Sequence, residues 1–312
     1  MSEQLITNYI RASEPLLYLI THEEQRAAAQ IEAIAEQTGR TLFVWRVTTG
    51  LVNGKGTVAD TESPPAFLDA VAKLPEKSIV LAMDFHQFLG SPGANGESQG
   101  DPVLLRKLKD LAPQAKNSQV TLIFVSCRLV LPPEIEREVK VIEFKLPTRD
   151  ELRPVLKAIA SSAGITPTAE QEEAILDAAV GMTTVEAEAA FSLSVVETGK
   201  TAIKPEIVAR EKANAIRKNG LLEIVEQVVT LDDIGGLANL KSDLFAKRNL
   251  FTKAARDYGL PTPRPLLCVG NPGTGKSLTA MATGTIFGVP LLRLEAGRLF
   301  GSLVGQSEEN WR

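Results

Sequence analysis

The 312-residue chain has few of the residues that build disulfide frameworks or metal centres. It contains two cysteines and two histidines, His22 and His86, and their positions show no metal-ligand spacing. Cys127 and Cys268 both lie in apolar runs, so we expect buried, reduced thiols in a reducing compartment such as the cytoplasm. No apolar run approaches the roughly 18 residues that a membrane-spanning helix needs, and we therefore expect no membrane partner.

Positive charge is not in excess either. Lysine and arginine number 34 against 38 aspartates and glutamates, for a net charge of -4. Proteins that bind nucleic acid need clustered basic residues, so we expect no nucleic-acid partner. The composition, with 44% hydrophobic and 23% charged residues, is instead typical of a globular protein, and the length indicates about two domains.

Four apolar, branched runs predict the strands of a parallel α/β sheet. They cover 15–20, 41–47, 78–84 and 120–126, and helical or loop segments separate them. After the first run, Ala27, Ile31 and Ile34 recur at helical spacing, and Gly39 supplies a stop. Two segments rich in Gly, Ser and Pro, 50–65 and 90–101, are predicted to be mobile loops outside the core.

The pattern changes to helices after residue 146. Three helices are predicted to begin with capping boxes, in which a Thr side chain covers an amide and an acid or amide three residues later reaches back. The pairs are Thr148 with Glu151, Thr168 with Gln171, and Thr183 with Glu186, and a fourth helix is expected from about Lys204 to Lys218. We therefore predict a sheet lobe at 1–146, a helical lobe at 147–220, a linker at 221–230 and a second α/β unit at 231–312.

The segment GNPGTGKS fits the phosphate-loop pattern G-x-x-x-x-G-K-[ST] in full. The run PLLCV before it predicts a buried strand, and SLTAMATGTIFG after it predicts a helix whose amino end faces the loop. Such a loop binds ATP through backbone amides, with Lys276 on the terminal phosphates and Ser277 on Mg²⁺. The predicted nucleotide-binding residues of this segment are Gly270, Asn271, Pro272, Gly273, Thr274, Gly275, Lys276, Ser277 and Leu278.

Further segments surround this loop: DDIGGL, YGLPTPRP and VPLLRLEAGRLFGSLVGQSEENWR. With it, they resemble the AAA clade of the AAA+ ATPases from Asp232 onwards. The resemblance implies that Asp233, Ile234 and Gly235 lie against the adenine. It places Leu303 in pore loop 1, where many members of the clade have an aromatic residue. Between this loop and Arg312 no segment resembles the Walker B acids, so the catalytic residues are not identified and we expect no hydrolysis by these 312 residues alone.

The first 220 residues resemble a whole AAA module without its catalytic residues. Glu23 and Glu24 of LITHEEQ stand where a phosphate loop would bind phosphates. Phe85 replaces the acid that would follow Asp84, and Ser126 stands where a polar sensor would lie. A degenerate module followed by a phosphate-loop module resembles the hypothetical reading frames of chloroplast genomes and cyanobacteria. A plastid-encoded chain would place the protein in the stroma.

The resemblance implies an ATP-hydrolysing protein remodeller that uses ATP and Mg²⁺. A protein substrate or partner is expected, and so is a homo-oligomer when the protein is complete. The alternative is a pseudo-ATPase that does not hydrolyse ATP, either a scaffold or adaptor or a truncated remnant, in which the first module docks partners.

Several lesser features have ordinary explanations. For Asp84, a turn or helix cap is favoured over a metal ligand. The segment 52–57, VNGKGT, lacks both the first glycine and the final Ser or Thr of a phosphate loop, so a flexible loop is favoured. We expect residues 1–220 to bind no ATP. In the AAA strand order 5-1-4-3-2, the strands predicted at 265–269 and 290–295 are not neighbours, and we expect both to stay unpaired.

Overall fold

The computed structural model describes residues 2–54, 56–92, 98–218, 222–225, 229–230, 233–251, 255, 258–261, 264–287 and 291–294. These residues form two compact units. The first contains the described residues up to Lys212, and the second contains those from Ala213 onwards.

A seven-stranded sheet is the centre of the first unit. Its strands are β1 (Leu16–Ile20), β2 (Thr41–Arg46), β3 (Gly50–Asn53), β4 (Gly56–Val58), β5 (Ser78–Met83), β8 (Thr121–Ser126) and β9 (Val139–Glu143), and β6 (Ser91–Pro92) and β7 (Ser98–Gln99) form a separate short ladder. The order across the sheet is β4-β3-β2-β5-β8-β1-β9. Five strands pair in parallel, in the spatial order β2, β5, β8, β1 and β9. If these five are numbered 1 to 5 by their position in the chain, their order across the sheet is 2-3-4-1-5. This matches the order that the AAA resemblance implies.

Helices cover the sheet because its strands are apolar on both faces. In the first unit the helices are α1 (Ser2–Arg11), α2 (Glu24–Thr38), α3 (Pro64–Val71), α4 (Pro102–Asn117), α5 (Arg149–Ala163), α6 (Ala169–Ala179) and α7 (Thr184–Glu197). Helix α8 (Pro205–Lys218) begins in this unit and ends in the second. Neighbouring residues of β1 enter opposite cores: Tyr18 packs in a cluster with residues of α3 and α4, and Leu17 packs in a cluster with residues of α1 and α2. The sheet lobe is therefore a three-layer sandwich.

The helical lobe consists of α5 to α8 and has a core of its own. Each of the three predicted capping boxes is present at the start of α5, α6 and α7, with the Thr side chain and the acid or amide bonded reciprocally. The cores of these helices include Leu152, Leu156, Ile175 and Phe191, each at most 1% exposed. Local sequence signals therefore set the helix starts, and the apolar faces bring the helices together.

Three predictions for the first unit were wrong or incomplete. Segment 50–65 is not a loop outside the core, because it contains β3 and β4, and Leu51 is fully buried beside Thr61, whose Oγ1 accepts a hydrogen bond from the Leu51 amide at 2.8 Å. Cys127 is exposed, since it lies just past the end of β8, where the apolar run leaves the sheet. Helix α1 and strand β9 were not predicted.

The second unit contains β10 (Leu222–Val225), α9 (Ala238–Lys247), a 3-10 helix (Arg248–Phe251), α10 (Lys276–Phe287) and β11 (Leu291–Leu294). Strand β11 pairs with β10 in antiparallel fashion, so the prediction that the strand at 290–295 stays unpaired was wrong. The predicted strand at 265–269 is not formed. Leu267 and Val269 are more than four-fifths exposed and Cys268 is exposed, because within the described part of this unit no strand lies beside them.

Candidate nucleotide site

The loop before α10 has the backbone conformation that its glycines permit. Gly273 and Gly275 both have φ of +82°, in the left-handed region that side-chain-bearing residues rarely adopt. Helix α10 begins directly after them, and its first turn closes with the Thr279 amide donating to the Gly275 carbonyl at 2.9 Å. The first amides of an α-helix have no intrahelical partner, and at the amino end of a helix such amides can bind phosphate groups.

Lys276 folds back over the loop. Its Nζ donates to the carbonyl oxygens of Gly270 at 2.9 Å and Asn271 at 2.7 Å. The hydroxyl of Thr274 also donates to the Asn271 carbonyl, at 2.8 Å. The Lys276 ammonium and the Thr274 hydroxyl therefore connect the two ends of the loop. The positive charge of Lys276 lies at the open side of the loop.

The loop is open to a ligand. Asn271, Pro272, Gly273 and Thr274 are exposed, and a Cβ placed on Gly273 or Gly275 would meet no atom within 4 Å. Ser277 is exposed on the first turn of α10, so its hydroxyl is free of the core and available to a cation. Exposed amides, one ammonium and one hydroxyl are the groups that phosphates with Mg²⁺ require.

The Asp-Ile-Gly stretch contacts the same helix. Ile234 is 6% exposed and forms a small cluster with Val229 and Ala282 of α10, against which Leu278 and Met281 pack. The structure therefore brings together two segments, one predicted to contact the adenine and one the phosphates, which lie about 40 residues apart in the sequence.

Asp233 fixes the turn before Ile234. Its Oδ2 accepts from the amide and the hydroxyl of Thr230, both at 2.8 Å, and these hydrogen bonds lower the pKa of the carboxyl. The Ile234 carbonyl accepts from Lys241 Nζ at 2.5 Å, and Gly235 is exposed next to it. Asp233 is thus bonded to the amide and hydroxyl of Thr230. That Asp233, Ile234 and Gly235 lie against the adenine stays a prediction. Asp232 and Leu303 lie outside the described residues.

The matching strand-to-helix turn in the first unit, between β1 and α2, has no loop of this kind. In place of a lysine it carries Glu23, whose side chain is buried and accepts from Arg26 Nη2 at 2.6 Å and from the Thr184 amide of α7 at 2.6 Å. A buried carboxylate repels phosphate, and its acceptor atoms are already engaged. Neither Arg26 nor Thr184 was predicted to have a role here.

A second acidic side chain at this turn, Glu24, lies near Asp84 at the end of β5. Burial and the nearby carboxylate of Asp84 raise the pKa of Glu24. Asp84, with φ of +54°, directly precedes a 3-10 helix (Phe85–Phe88). Its position is that of a helix cap, as predicted, but its side chain makes no capping hydrogen bond. Phe85 is fully buried, with its ring 5.5 Å from that of Trp45. The residue that replaces an acid thus belongs to the core.

Metal and membrane sites have no support in the described ranges. His86 is buried, and burial lowers its pKa. Nowhere in the described part of the chain do three His, Cys, Asp or Glu residues gather closely enough to hold a metal ion. Of the helices described, none has the length and apolar character to cross a bilayer.

Three family models match the chain. The N-terminal domain of SpoVK-like AAA ATPases matches residues 1–144, and the second domain of the same proteins matches 150–219. The model for the ATPase family associated with various cellular activities (AAA) matches 266–312. All of the matched ranges are thus similar to AAA ATPase domains.

Relatives that match over nearly the whole chain are the AAA domain-containing proteins ycf46. Those of Guillardia theta and Trieres chinensis are each 31% identical to it over 97% of the chain. The chain spans 59% and 60% of these two relatives, about three fifths of their length. Peroxisomal ATPase PEX6 of Dictyostelium discoideum is 35% identical over 86 residues, which are 27% of this chain and 7% of that protein.

A solved structure, the HORMA:CdnC:Trip13 complex of E. coli MS115-1, has a chain that is 13% identical to this one. The alignment covers 66% of this chain and 74% of that chain, with a TM-score of 0.44. This likeness is too weak to support an inference about function.

Proposed function

The chain belongs to the AAA ATPase family, as a member of the ycf46 type, and from that premise we propose that it binds Mg²⁺-ATP at the loop of residues 270–277. We further propose that the complete protein hydrolyses this ATP and uses the energy to remodel a protein partner. The first proposal rests on the exposed glycine loop at the start of α10, with the Lys276 ammonium at the open side of the loop. The match to the AAA family and to a peroxisomal ATPase supports the ATPase part of the second proposal, and the family resemblance implies the remodelling.

In this proposal, each group at the loop has a defined task. The amides that precede α10 bind phosphate oxygens, and the positive end of the helix dipole strengthens those bonds. Lys276 exchanges its two carbonyl partners for oxygens of the terminal phosphates, and Ser277 holds Mg²⁺. The metal ion neutralises phosphate charge. Ile234 and Gly235, next to α10, contact the base.

The remaining parts of the proposal concern the whole protein. Hydrolysis requires an acid, a sensor and an arginine finger. The family resemblance implies these groups, but none of the described residues is assigned to them. On the same ground we propose a homo-oligomeric ring and a protein partner. The proposed location is the cytoplasm, or the plastid stroma if the chain is plastid-encoded. Because the chain spans about three fifths of its ycf46 relatives, these proposals are best tested on a protein of their length.

A second function is favoured by one observation, the buried Glu23 in the first unit. A module that holds a carboxylate in place of a phosphate loop has no means of binding ATP, so its contribution is a rigid surface for a partner. In a pseudo-ATPase scaffold, the second unit would bind ATP without hydrolysing it. ATP turnover by the full-length protein separates these two functions: turnover above background supports the remodeller, and binding without turnover supports the scaffold.

The test of ATP binding is Lys276→Ala. A hydrogen bond to a charged group contributes about 1.5–3 kcal/mol, so loss of the ammonium should weaken binding of a fluorescent ATP analogue by roughly 10- to 150-fold. Lys247→Ala is the matched control, because Lys247 lies on the surface of α9 and pairs with Asp243. Binding by Lys276→Ala with the affinity of the unmodified chain would refute the site.

A further inference from the structure

Glu23 joins the two lobes of the first unit. It is the residue before α2 in the sheet lobe, and its Oε1 accepts from the amide of Thr184, the first residue of α7 in the helical lobe, at 2.6 Å. The two residues are 161 positions apart in the sequence. The Glu23 side chain is 4% exposed, so this hydrogen bond is screened very little by water.

Arg26 forms the second connection between the lobes. Its guanidinium donates to Glu23 Oε2 from Nη2 at 2.6 Å and from Nε at 3.0 Å. The same group donates to Glu151 Oε1, on the first turn of α5, at 3.3 Å and to the carbonyl of Lys145. It also lies over the ring of Phe144, 4.4 Å from the centroid. One carboxylate and one guanidinium thus connect the start of α2 with the chain after β9 and with the starts of α5 and α7.

The partners of Glu23 are those that proteins use to bind an anion. The amino end of α7 carries partial positive charge and an amide without an intrahelical partner, and Arg26 adds a full positive charge. Such a pair binds a phosphate or carboxylate ligand that enters from solvent. In the first unit the chain itself supplies this carboxylate. Glu23 lies at the strand-to-helix turn that corresponds to the phosphate loop of the second unit.

We propose that Glu23 is a built-in latch: its carboxylate takes the place of an anionic ligand between the lobes and holds the helical lobe against the sheet lobe without any nucleotide. The angle between the two lobes of the first unit then does not respond to ATP. This goes beyond the proposed function, which concerns the second unit, and it holds whether or not ATP binds there.

Two variants break the latch from opposite sides. Glu23→Ala removes the acceptor. Thr184→Pro removes the donor and leaves α7 intact, because proline is favoured at the first position of a helix and Thr183, with φ of -69° and ψ of 162°, already has the conformation that must precede proline. Glu32→Gln, on the exposed face of α2, is the matched control for a lost carboxylate.

The interlobe distance is measured on the 312-residue chain by double electron–electron resonance. Spin labels are placed at Lys116→Cys on α4 and Glu188→Cys on α7, both exposed, after Cys127→Ser and Cys268→Ser. We expect one narrow distance distribution in the background chain and in Glu32→Gln, with no shift on adding Mg²⁺-ATP. The distribution should broaden at least about two-fold in both Glu23→Ala and Thr184→Pro, since each loses a charge-assisted hydrogen bond.

Hydrogen exchange shows whether the change is local. In Glu23→Ala, exchange at the start of α7 should accelerate by about 10- to 100-fold while β8 and Phe191 stay protected. Uniformly faster exchange would indicate general destabilisation and overturn the latch. So would an unchanged distance distribution in either variant, or a distance in the background chain that moves when ATP is added.

Discussion

Gly275→Ala is the substitution that most directly tests the loop conformation. Gly275 has φ of +82°, and a Cβ at this position would meet no atom within 4 Å. The cost of the added methyl group is therefore backbone strain alone, about 1–2 kcal/mol for a left-handed residue with a side chain. If the loop must hold this conformation to direct its amides at phosphate, the dissociation constant for ATP rises by about 5- to 30-fold.

Gly259→Ala is the matched control, since Gly259 lies in the same unit with φ of +84° and equally open surroundings. Both variants carry the same strain, so both should lower the unfolding midpoint in urea by a similar amount. Gly275→Ala alone should weaken ATP, measured by equilibrium titration with a fluorescent analogue. An affinity within about two-fold of the parent chain, or equal losses in the two variants, would show that the conformation of Gly275 does not matter for binding.

Three further predictions concern the first unit. Burial and the nearby carboxylate of Asp84 raise the pKa of Glu24, so its ionisation lowers stability as the pH rises above the ordinary pKa of a glutamate. Glu24→Gln should therefore stabilise the unit at pH 7, by less than about 1 kcal/mol, and not at pH 4, which pH-dependent urea unfolding measures. Tyr18→Phe should lower the free energy of unfolding by about 1–3 kcal/mol at neutral pH, since the hydroxyl donates to the Arg128 carbonyl at 2.6 Å and accepts from the Val130 amide at 3.2 Å. Burial raises the pKa of Tyr18 in the folded chain. The stability that the hydroxyl contributes should therefore be lost as the pH rises above about 10, where the tyrosine of the unfolded chain ionises first. Thr168→Ala should lower stability by about 1 kcal/mol in a chemical melt, through loss of the cap of α6, and Thr168→Ser should restore most of it.

Features set by a few neighbouring residues were predictable. The three capping boxes lie at the predicted threonines, and Gly39 ends α2 with φ of +63°. In each case the signal is a side chain or a glycine within four residues of the backbone groups that it satisfies. No distant partner is needed, so the sequence determines the local structure directly.

Elements that depend on a neighbouring strand were harder to predict. In strand β9, Val139 and Ile142 are buried, Lys140 is half-buried, and Val141 and Glu143 are exposed, so it lacks the continuous apolar run of the central strands. It forms because β1 offers it a parallel edge. In the second unit, the apolar run before the phosphate loop has the composition of a strand but no strand beside it in the described residues. Composition indicates the capacity to pair, and pairing itself depends on which edge is present.

The first unit shows how far a local pattern can decide a site. Glu23 and Glu24, where the chain turns from β1 into α2, predict that phosphate is excluded, because carboxylates repel it, and this needs no knowledge of the fold. The partner of Glu23, the Thr184 amide, leaves no trace in the sequence, since any residue except proline supplies an amide. Only the fold brings the amino end of α7 to this turn. The sequence therefore predicts that this turn binds no nucleotide, whereas the contact that Glu23 makes with Thr184 must be found from the structure.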